Sequence, residues 1–300
     1  MYYNSFNYAM RRRFGCKVYK LALDGGFTCP NRYRTLGVGG CIFCGGEGSG
    51  DFAQRRCGNV SAQIELAKAR VAAKNKGGRY IAYFQSFTNT YAPTRRLREL
   101  FTPAIEHPDI AALSVATRPD CLEDDKIELL RELSAIKPVW VELGLQTVNP
   151  ATARYIRRGY ELPVFDDTVA RLKAAELEVI VHMIIGLPGE TGPDVFATAE
   201  HISRNGADGV KLQLLHVLKS TDLYRDYLAG KFKVLTLDEY IRLLEGCVRR
   251  LRPGIVIHRL TGDGAKRDLI APMWSADKKA VLNAIRAAFE RDNVIQGELL

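Results

Sequence analysis

The sequence predicts an α/β fold, a partial (β/α)6 barrel of the TIM-like kind with short extensions at both ends. Short β-branched and apolar runs alternate with amphipathic helical segments about six times along the chain, which implies parallel βαβ units with right-handed crossovers. A length of 300 residues suits one α/β barrel domain. The unusual polar residues also follow the ends of predicted strands, where the reactive groups of such folds collect.

Residues 17–23 (KVYKLAL) read as the first strand, ended by the turn signal Asp24-Gly25-Gly26. Ser61 caps a helix that runs to about residue 75 and stops at Gly77-Gly78, and 80–84 (YIAYF) is the second strand. A helix over 94–106, with Pro108 beyond it, precedes a strand over 111–116 (AALSVA). Residues 123–136 place Ile127, Leu130 and Leu133 on one helical face and stop before Pro138. The fourth strand covers 139–145 (VWVELGL), and helices over 150–157 and 163–175 lead to the fifth, 178–185 (EVIVHMII). A helix over 194–205, a sixth strand over 209–215 (GVKLQLL) and a helix over 237–251 follow. A short strand over 255–258 and a helix over 276–291, with Val281, Ile285, Ala288 and Phe289 on its apolar face, close the chain. The expected division is an extension over 1–16, a barrel over 17–260 with a cysteine loop at 24–57, and a C-terminal loop and helix over 261–300 packed on the barrel. The Gly-rich stretch 261–274 reads as a loop over the barrel mouth.

No apolar run approaches the roughly 18 residues that a membrane helix needs, which excludes a transmembrane role. The first thirteen residues carry Arg11-Arg12-Arg13 with no long apolar stretch behind them, so they are not a secretory signal and a cytoplasmic location is expected. Seven cysteines in such a chain read as metal ligands and free thiols, not as a disulfide framework. The net charge of +9 favours a polyanionic partner, RNA above all; solubility alone is the plainer account.

Cys29 is followed twelve positions later by Cys41-x-x-Cys44, with Gly37, Gly39 and Gly40 letting the longer arm fold back. A structural zinc site normally closes with four protein ligands, so three cysteines leave one metal position open. If Cys57 supplied the fourth ligand, the chain would instead be a non-catalytic, zinc-bearing RNA-binding module. The later strand ends carry Gln85-Ser86-Phe87-Thr88-Asn89-Thr90, then Thr117-Arg118-Pro119-Asp120-Cys121, then Gln146-Thr147 with Glu142 inside the strand, then Gly186-Leu187-Pro188-Gly189-Glu190, and last His216.

Together these features resemble the radical S-adenosylmethionine (SAM) enzymes. Residues 13–32 (RFGCKVYKLALDGGFTCPNR), 48–53 (GSGDFA), 117–120 (TRPD) and 271–275 (APMWS) resemble the subgroup often called YhcC-type. The widespread motif of that family is C-x3-C-x2-C; the eleven-residue first gap here departs from it and fits the subgroup. The resemblance implies that Cys29, Cys41 and Cys44 bind three irons of a [4Fe–4S] cluster and that SAM chelates the fourth. Reductive cleavage of SAM would then yield a 5′-deoxyadenosyl radical that abstracts a substrate hydrogen. By the same likeness Phe43 lies near the adenine, and Gln85, Ser86 and Asn89 stand where a Gly-Gly-Glu-type element holds SAM's amino group. Glu142 and Gln146 match the ribose-contacting element, and Gly186, Pro188 and Gly189 match the turn beside the adenine. Arg118 is a candidate for SAM's carboxylate or a substrate anion, a salt bridge to Asp120 or Glu142 being the alternative. Cys121 and His216 are catalytic candidates by position, while His182 reads as a core histidine.

Likeness to Elongator-type catalytic subunits points to tRNA as substrate, and to maturation of wobble carboxymethylaminomethyl-uridine towards aminomethyl-uridine. A small molecule or a peptide is the alternative substrate. A reductant such as flavodoxin or ferredoxin is the expected electron donor. The acetyltransferase domain of the Elongator type has no counterpart in the sequence, so acetyl-CoA is not expected.

Overall fold

The computed structural model describes residues 2–300 except 33–35, 49, 76 and 263, so Ser49 of the 48–53 motif lies outside the described residues. The described residues form the strands β1 (Val18–Leu23), β2 (Arg79–Phe84), β3 (Ile110–Thr117), β4 (Val139–Gln146), β5 (Glu178–Ile185), β6 (Gly209–Leu214), β7 (Val217–Leu218), β8 (Val256–Arg259) and β9 (Leu269–Ala271). They also form the α-helices α1 (Phe6–Phe14), α2 (Val60–Val71), α3 (Thr94–Glu106), α4 (Asp124–Ser134), α5 (Pro150–Tyr155), α6 (Leu162–Ala174), α7 (Gly192–Arg204), α8 (Asp222–Leu228), α9 (Leu237–Arg250) and α10 (Lys278–Arg291). Strands β1 to β6 and β8 form one parallel sheet in that order, and β7 pairs antiparallel with β9. The sheet therefore has seven strands, because 256–259 pairs with β6; β1 and β8 are its two edges, which makes the barrel partial.

Burial explains why the strands read as apolar runs. All eight residues of β3 are buried, as parallel strands covered on both faces must be. Helices cover the outside: Phe101 of α3 packs on Phe84 of β2 with ring centroids 5.0 Å apart, and both are fully buried. The C-terminal helix α10 packs on α9, and the rings of Tyr2 and Tyr3 meet Phe289 edge-on. Among the described residues no helix is long and apolar enough to cross a membrane.

Two helices were not expected from the sequence. Helix α1 is capped by Ser5, whose side chain accepts from Tyr8 N, and it ends at Gly15 with φ +70°. Its Met10 joins Val18, Ile81, Ala112, Trp140 and Ile180, which lie at or near the N-terminal ends of their strands, so α1 plugs the floor of the barrel. With one buried residue in nine, it shows little of the apolar periodicity that marks a helix. Helix α8, capped by Thr221, is shorter still at seven residues, and it packs over the cysteine loop through Leu223 N to Ile42 O at 3.0 Å.

Candidate active site

The cysteine loop is fastened at its base. Gln54 N donates to Ala22 O at 2.7 Å, Asp24 N donates to Gln54 O at 3.0 Å, and the buried Gln63 amide donates to both Asp24 O and Gln54 O. Gly25 has no room for a side chain: a Cβ there would lie 2.6 Å from the Phe27 ring and 2.9 Å from Asn89 Oδ1. Further along, Ile42 N donates to Ile156 O at 3.1 Å, and Arg32 donates to the carbonyls of Cys44, Gly45 and Gly46. Asn31 donates to Arg157 O at 2.5 Å and lies 3.5 Å from Cys41 Sγ. The loop is thus held by polar contacts to β1, α2 and the end of α5.

Cys29, Cys41 and Cys44 line the mouth of a cavity of about 830 Å³ that runs down to Phe6 of α1 on the barrel floor. Burial pushes the Cys41 thiol up to about 12, with the nearby charges of Cys44 and Cys29 adding to it and Arg118 opposing. The three sulfurs therefore feel one another. They do not close on one ion, however: among the described residues the trio of His, Cys, Asp or Glu ligand atoms lying within 4.8 Å of one another is Glu65, His107 and Asp109. A single tetrahedral zinc at about 2.3 Å from each sulfur needs sulfurs about 3.8 Å apart. Three thiolates converging on one cavity at wider spacing suit the corners of a polynuclear cluster, and Cys57 is not among the cavity's lining residues.

Several expected residues share this cavity: Phe43, Gln85, Arg118, Glu142, Gln146 and His216 all line it. Phe87 and Gln146 sit there at φ +58° and +62°, a conformation that costs energy for side-chain-bearing residues and gathers at functional sites. Oriented to donate, the Gln146 amide reaches Gly144 O and Leu145 O, each at 3.1 Å. His216 packs against Gly262 and Gly264, where a Cβ would meet its ring at 2.8 and 3.3 Å.

Other expectations are corrected. Cys121 is buried off the cavity in a short 3₁₀ turn, its sulfur 3.8 Å from Asp120 Oδ1 and its thiol pushed up to about 12 by burial. Ser86 and Asn89 are buried behind the lining; the Asn89 amide donates to Phe84 O and Ala116 O and so ties the ends of β2 and β3 together. Gly186, Pro188 and Gly189 are not among the cavity's lining residues, and a Cβ on Gly186 would lie 2.9 Å from Leu235. Arg118 pairs with Asp120 through two bonds of 2.9 and 2.7 Å and donates a third to Arg158 O at 2.8 Å, which is the salt-bridge alternative. Glu142 lies too deep and too well satisfied to reach for a ribose. Its Oε1 accepts from Lys20 at 2.7 Å and Ser114 at 2.6 Å, and its Oε2 from His182 at 2.6 Å and from Lys211. Burial alone would raise this carboxyl, but the Lys20 and Lys211 charges hold it well below the usual carboxylate range.

Lys20, Tyr83, Arg158, Tyr160, Lys211, His258 and Arg259 also line the cavity, and none stood out from the sequence. The available signal was a polar or titratable residue inside each mainly apolar strand: Lys20 in β1, Tyr83 in β2, Ser114 in β3, Glu142 in β4, His182 in β5, Lys211 in β6. Strand register sets His182 opposite Lys211, Lys211 opposite Arg259 and Tyr83 opposite Ser114, and the Glu142 side chain reaches Lys20, Ser114, His182 and Lys211 by hydrogen bonds.

The family model described as the Radical SAM superfamily matches residues 29–202, and that of the Radical_SAM C-terminal domain matches 207–291. The chain is 43% identical over 296 residues to the uncharacterized protein YtqA of Bacillus subtilis, which covers 99% of this chain and 92% of that one. It is 36% identical over 276 residues to the protein YhcC of Escherichia coli, covering 92% and 88%. A shorter match, 28% identical over 136 residues, is to the tRNA uridine(34) acetyltransferase of Methanocaldococcus jannaschii, covering 44% of this chain and 25% of that protein. Among solved structures, Elp3 of Methanocaldococcus infernus superposes with a TM-score of 0.69 at 16% identity, over 93% of this chain and 64% of that one, which shows a shared fold.

Proposed function

Because the chain belongs to the radical SAM superfamily, whose enzymes carry a [4Fe–4S] cluster and S-adenosylmethionine, we propose that it modifies RNA, carrying the wobble carboxymethylaminomethyl-uridine of tRNA towards aminomethyl-uridine. The observation that carries this reading is the rim of the cavity. Lys266 and Lys278 line the cavity together with the three cysteines, and Phe52, in the same lining, is 47% exposed. Cations that track phosphates around an exposed aromatic ring on which a base can stack are what single-stranded nucleic acid binds. The likeness to a protein named for tRNA uridine(34) adds support; its acetyl transfer forms no part of the proposal.

In this reading Cys29, Cys41 and Cys44 hold the cluster, while Arg32 and Asn31 keep their loop in place. When bound, cluster and SAM supply a 5′-deoxyadenosyl radical that removes a hydrogen atom from the substrate, with the electron coming from a donor such as flavodoxin or ferredoxin. Phe43, Gln85 and Gln146 line the space beside the cysteines and position SAM. The Tyr160 ring, with the Arg118 and Arg158 guanidinium groups 5.1 and 4.6 Å from its centroid, makes a rigid wall, for Arg158 is anchored on Thr147 O at 2.7 Å. Such walls orient a reactant and keep water away from it.

The test is anaerobic reconstitution with iron and sulfide, chemical reduction, and measurement of 5′-deoxyadenosine with and without tRNA from cells lacking this chain. The expected result is a brown protein whose 5′-deoxyadenosine output rises several-fold with that tRNA while aminomethyl-uridine appears in it. A colourless protein holding one tight zinc would overturn the enzyme. Cleavage of SAM with no rise on tRNA would overturn RNA as substrate in favour of a small molecule or peptide.

A further inference from the structure

The floor of the cavity is built unlike an ordinary barrel core. Barrel interiors are normally filled by branched apolar side chains in layers. Here one layer holds Lys20, Tyr83, Ser114, Glu142, His182, Lys211, His258 and Arg259, and all but Ser114 line the same cavity as the cysteines. Glu142 accepts from four donors and has no capacity left for a ligand. The lysines are not used up. Lys20 Nζ engages Glu142 and His258 Nδ1, the latter at 3.3 Å, and Lys211 Nζ engages Glu142 and the Tyr83 hydroxyl, the latter at 2.9 Å. An ammonium has three N–H donors, so each lysine keeps one with no acceptor among the described residues.

Among the described residues, Lys20 and Lys211 share a single carboxylate, that of Glu142. The charged and titratable groups facing it are Lys20 from β1, Tyr83 from β2, Glu142 from β4, His182 from β5, Lys211 from β6, and His258 and Arg259 from β8. Burial, reinforced by the lysine charges, keeps both histidines neutral, holding His182 down to about 4 and His258 well below its usual range. One carboxylate then faces Lys20 and Lys211, with Arg259 adding to the positive field on both lysines. Burial draws both ammonium groups down, Lys211 well below its usual range, because Glu142 alone does not compensate two cations. Face-on aromatic rings offer part of the remedy: both lysines lie over Tyr83, at 4.9 and 4.3 Å from its centroid. A second carboxylate would complete it, since buried charge is tolerated when paired and hydrogen-bonded.

We propose that this floor is a subsite for an anionic group of the substrate, a carboxylate that bridges the spare N–H donors of Lys20 and Lys211. The inference rests on the reading that the substrate is a uridine bearing a carboxymethylaminomethyl group, and it assigns that group's carboxylate a place at the bottom of the cavity with the base nearer the cysteines. Two ammonium groups offering one donor each match the two oxygens of a carboxylate; a phosphate dianion beside Glu142 would bring more acceptors and more charge than two donors satisfy.

The test uses the full, cluster-loaded chain and two anticodon stem-loops, one with carboxymethylaminomethyl-uridine and one with aminomethyl-uridine at the wobble position. The wild type is expected to bind the carboxylate-bearing RNA at least tenfold more tightly. Lys20→Met and Lys211→Met should each cut that preference to under threefold, while Lys266→Glu on the rim weakens both RNAs alike and leaves the ratio intact. Glycine at millimolar concentration should erode the wild-type preference, and inorganic phosphate should not. Equal wild-type affinities would overturn the subsite even if the lysine variants fail to fold, and so would erosion by phosphate but not by glycine. Failure of the reading itself is separately visible: wild-type enzyme that leaves carboxymethylaminomethyl-uridine unconverted removes the substrate, whereas conversion with no binding preference removes the subsite alone.

Discussion

Glu190 shows how one buried side chain sets a pH dependence. Burial raises its carboxyl to about 7, with Asp194 adding to the effect and the Thr147 hydroxyl opposing it. The folded state therefore binds more protons than the unfolded chain between the ordinary value of 4.5 and about 7, so the stability this group contributes is full below that window and is lost as pH rises through 7. Glu190→Gln, which keeps an acceptor for Thr147, should raise Tm at pH 8 by roughly 2–6 °C and change it little at pH 5, as read by calorimetry. An equal shift at both pH values would show that the carboxyl titrates normally. His182 has the opposite sign: burial, with Lys211, lowers it to about 4, so its contribution is present above the ordinary 6.5 and is lost as pH falls towards 4. For the cysteines, Ser at 29, 41 or 44 should drop iron from about four per chain to under one, while Cys57→Ser keeps it, since Cys57 is not among the cavity's lining residues. Retention of iron by Cys41→Ser would refute the ligand set.

At the scale of elements, α1 closes a floor that seven strands leave open. Met10 is 4% exposed against Trp140, which is 1% exposed, and Phe6 stands edge-on to the same indole at 6.3 Å. Met10→Ala should cost about 2–3 kcal/mol in denaturant unfolding, because the lost methylenes leave a cavity that the rigid strand ends do not refill. The Trp140 emission should shift to the red in the same variant as water reaches the ring. A change below about 0.5 kcal/mol would mean that α1 only rests on the barrel and does not seal it.

The whole molecule carries net charge +9, and the structure puts part of it where a polyanion would meet the cavity. Reversing Lys266 and Lys278 together should lower tRNA affinity at 0.1 M salt and reduce the slope of log K against log salt by about 2, one for each phosphate no longer neutralised. Phe52→Ala should cost about 1–3 kcal/mol of RNA affinity by removing base stacking, without altering the salt slope. An unchanged slope in the charge-reversed variant would move the RNA footprint elsewhere on the surface.

Much of this was legible in the sequence, for reasons that differ by feature. Parallel strands buried on both faces must be apolar runs of six to eight residues, so β2 to β6 appeared within a residue or two of their true limits. The spacing of Cys29, Cys41 and Cys44 announced a three-thiolate loop because that chemistry is local to the chain. Which polar residues meet was not local. Lys20, Glu142 and Lys211 come from strands far apart in the chain, and only curling the sheet and setting its register brings their side chains to one point. The same curling hid Cys121, Ser86 and Asn89 behind the lining, although each follows a strand end as the sequence indicated. By itself, then, the sequence determined the strands β1 to β6, their alternation with helices and the three-cysteine loop, all of which depend on neighbours in the chain. The tertiary structure alone decided the charged floor, the sealing role of α1 and the depth of Glu142, because those depend on distances between elements that no periodicity encodes.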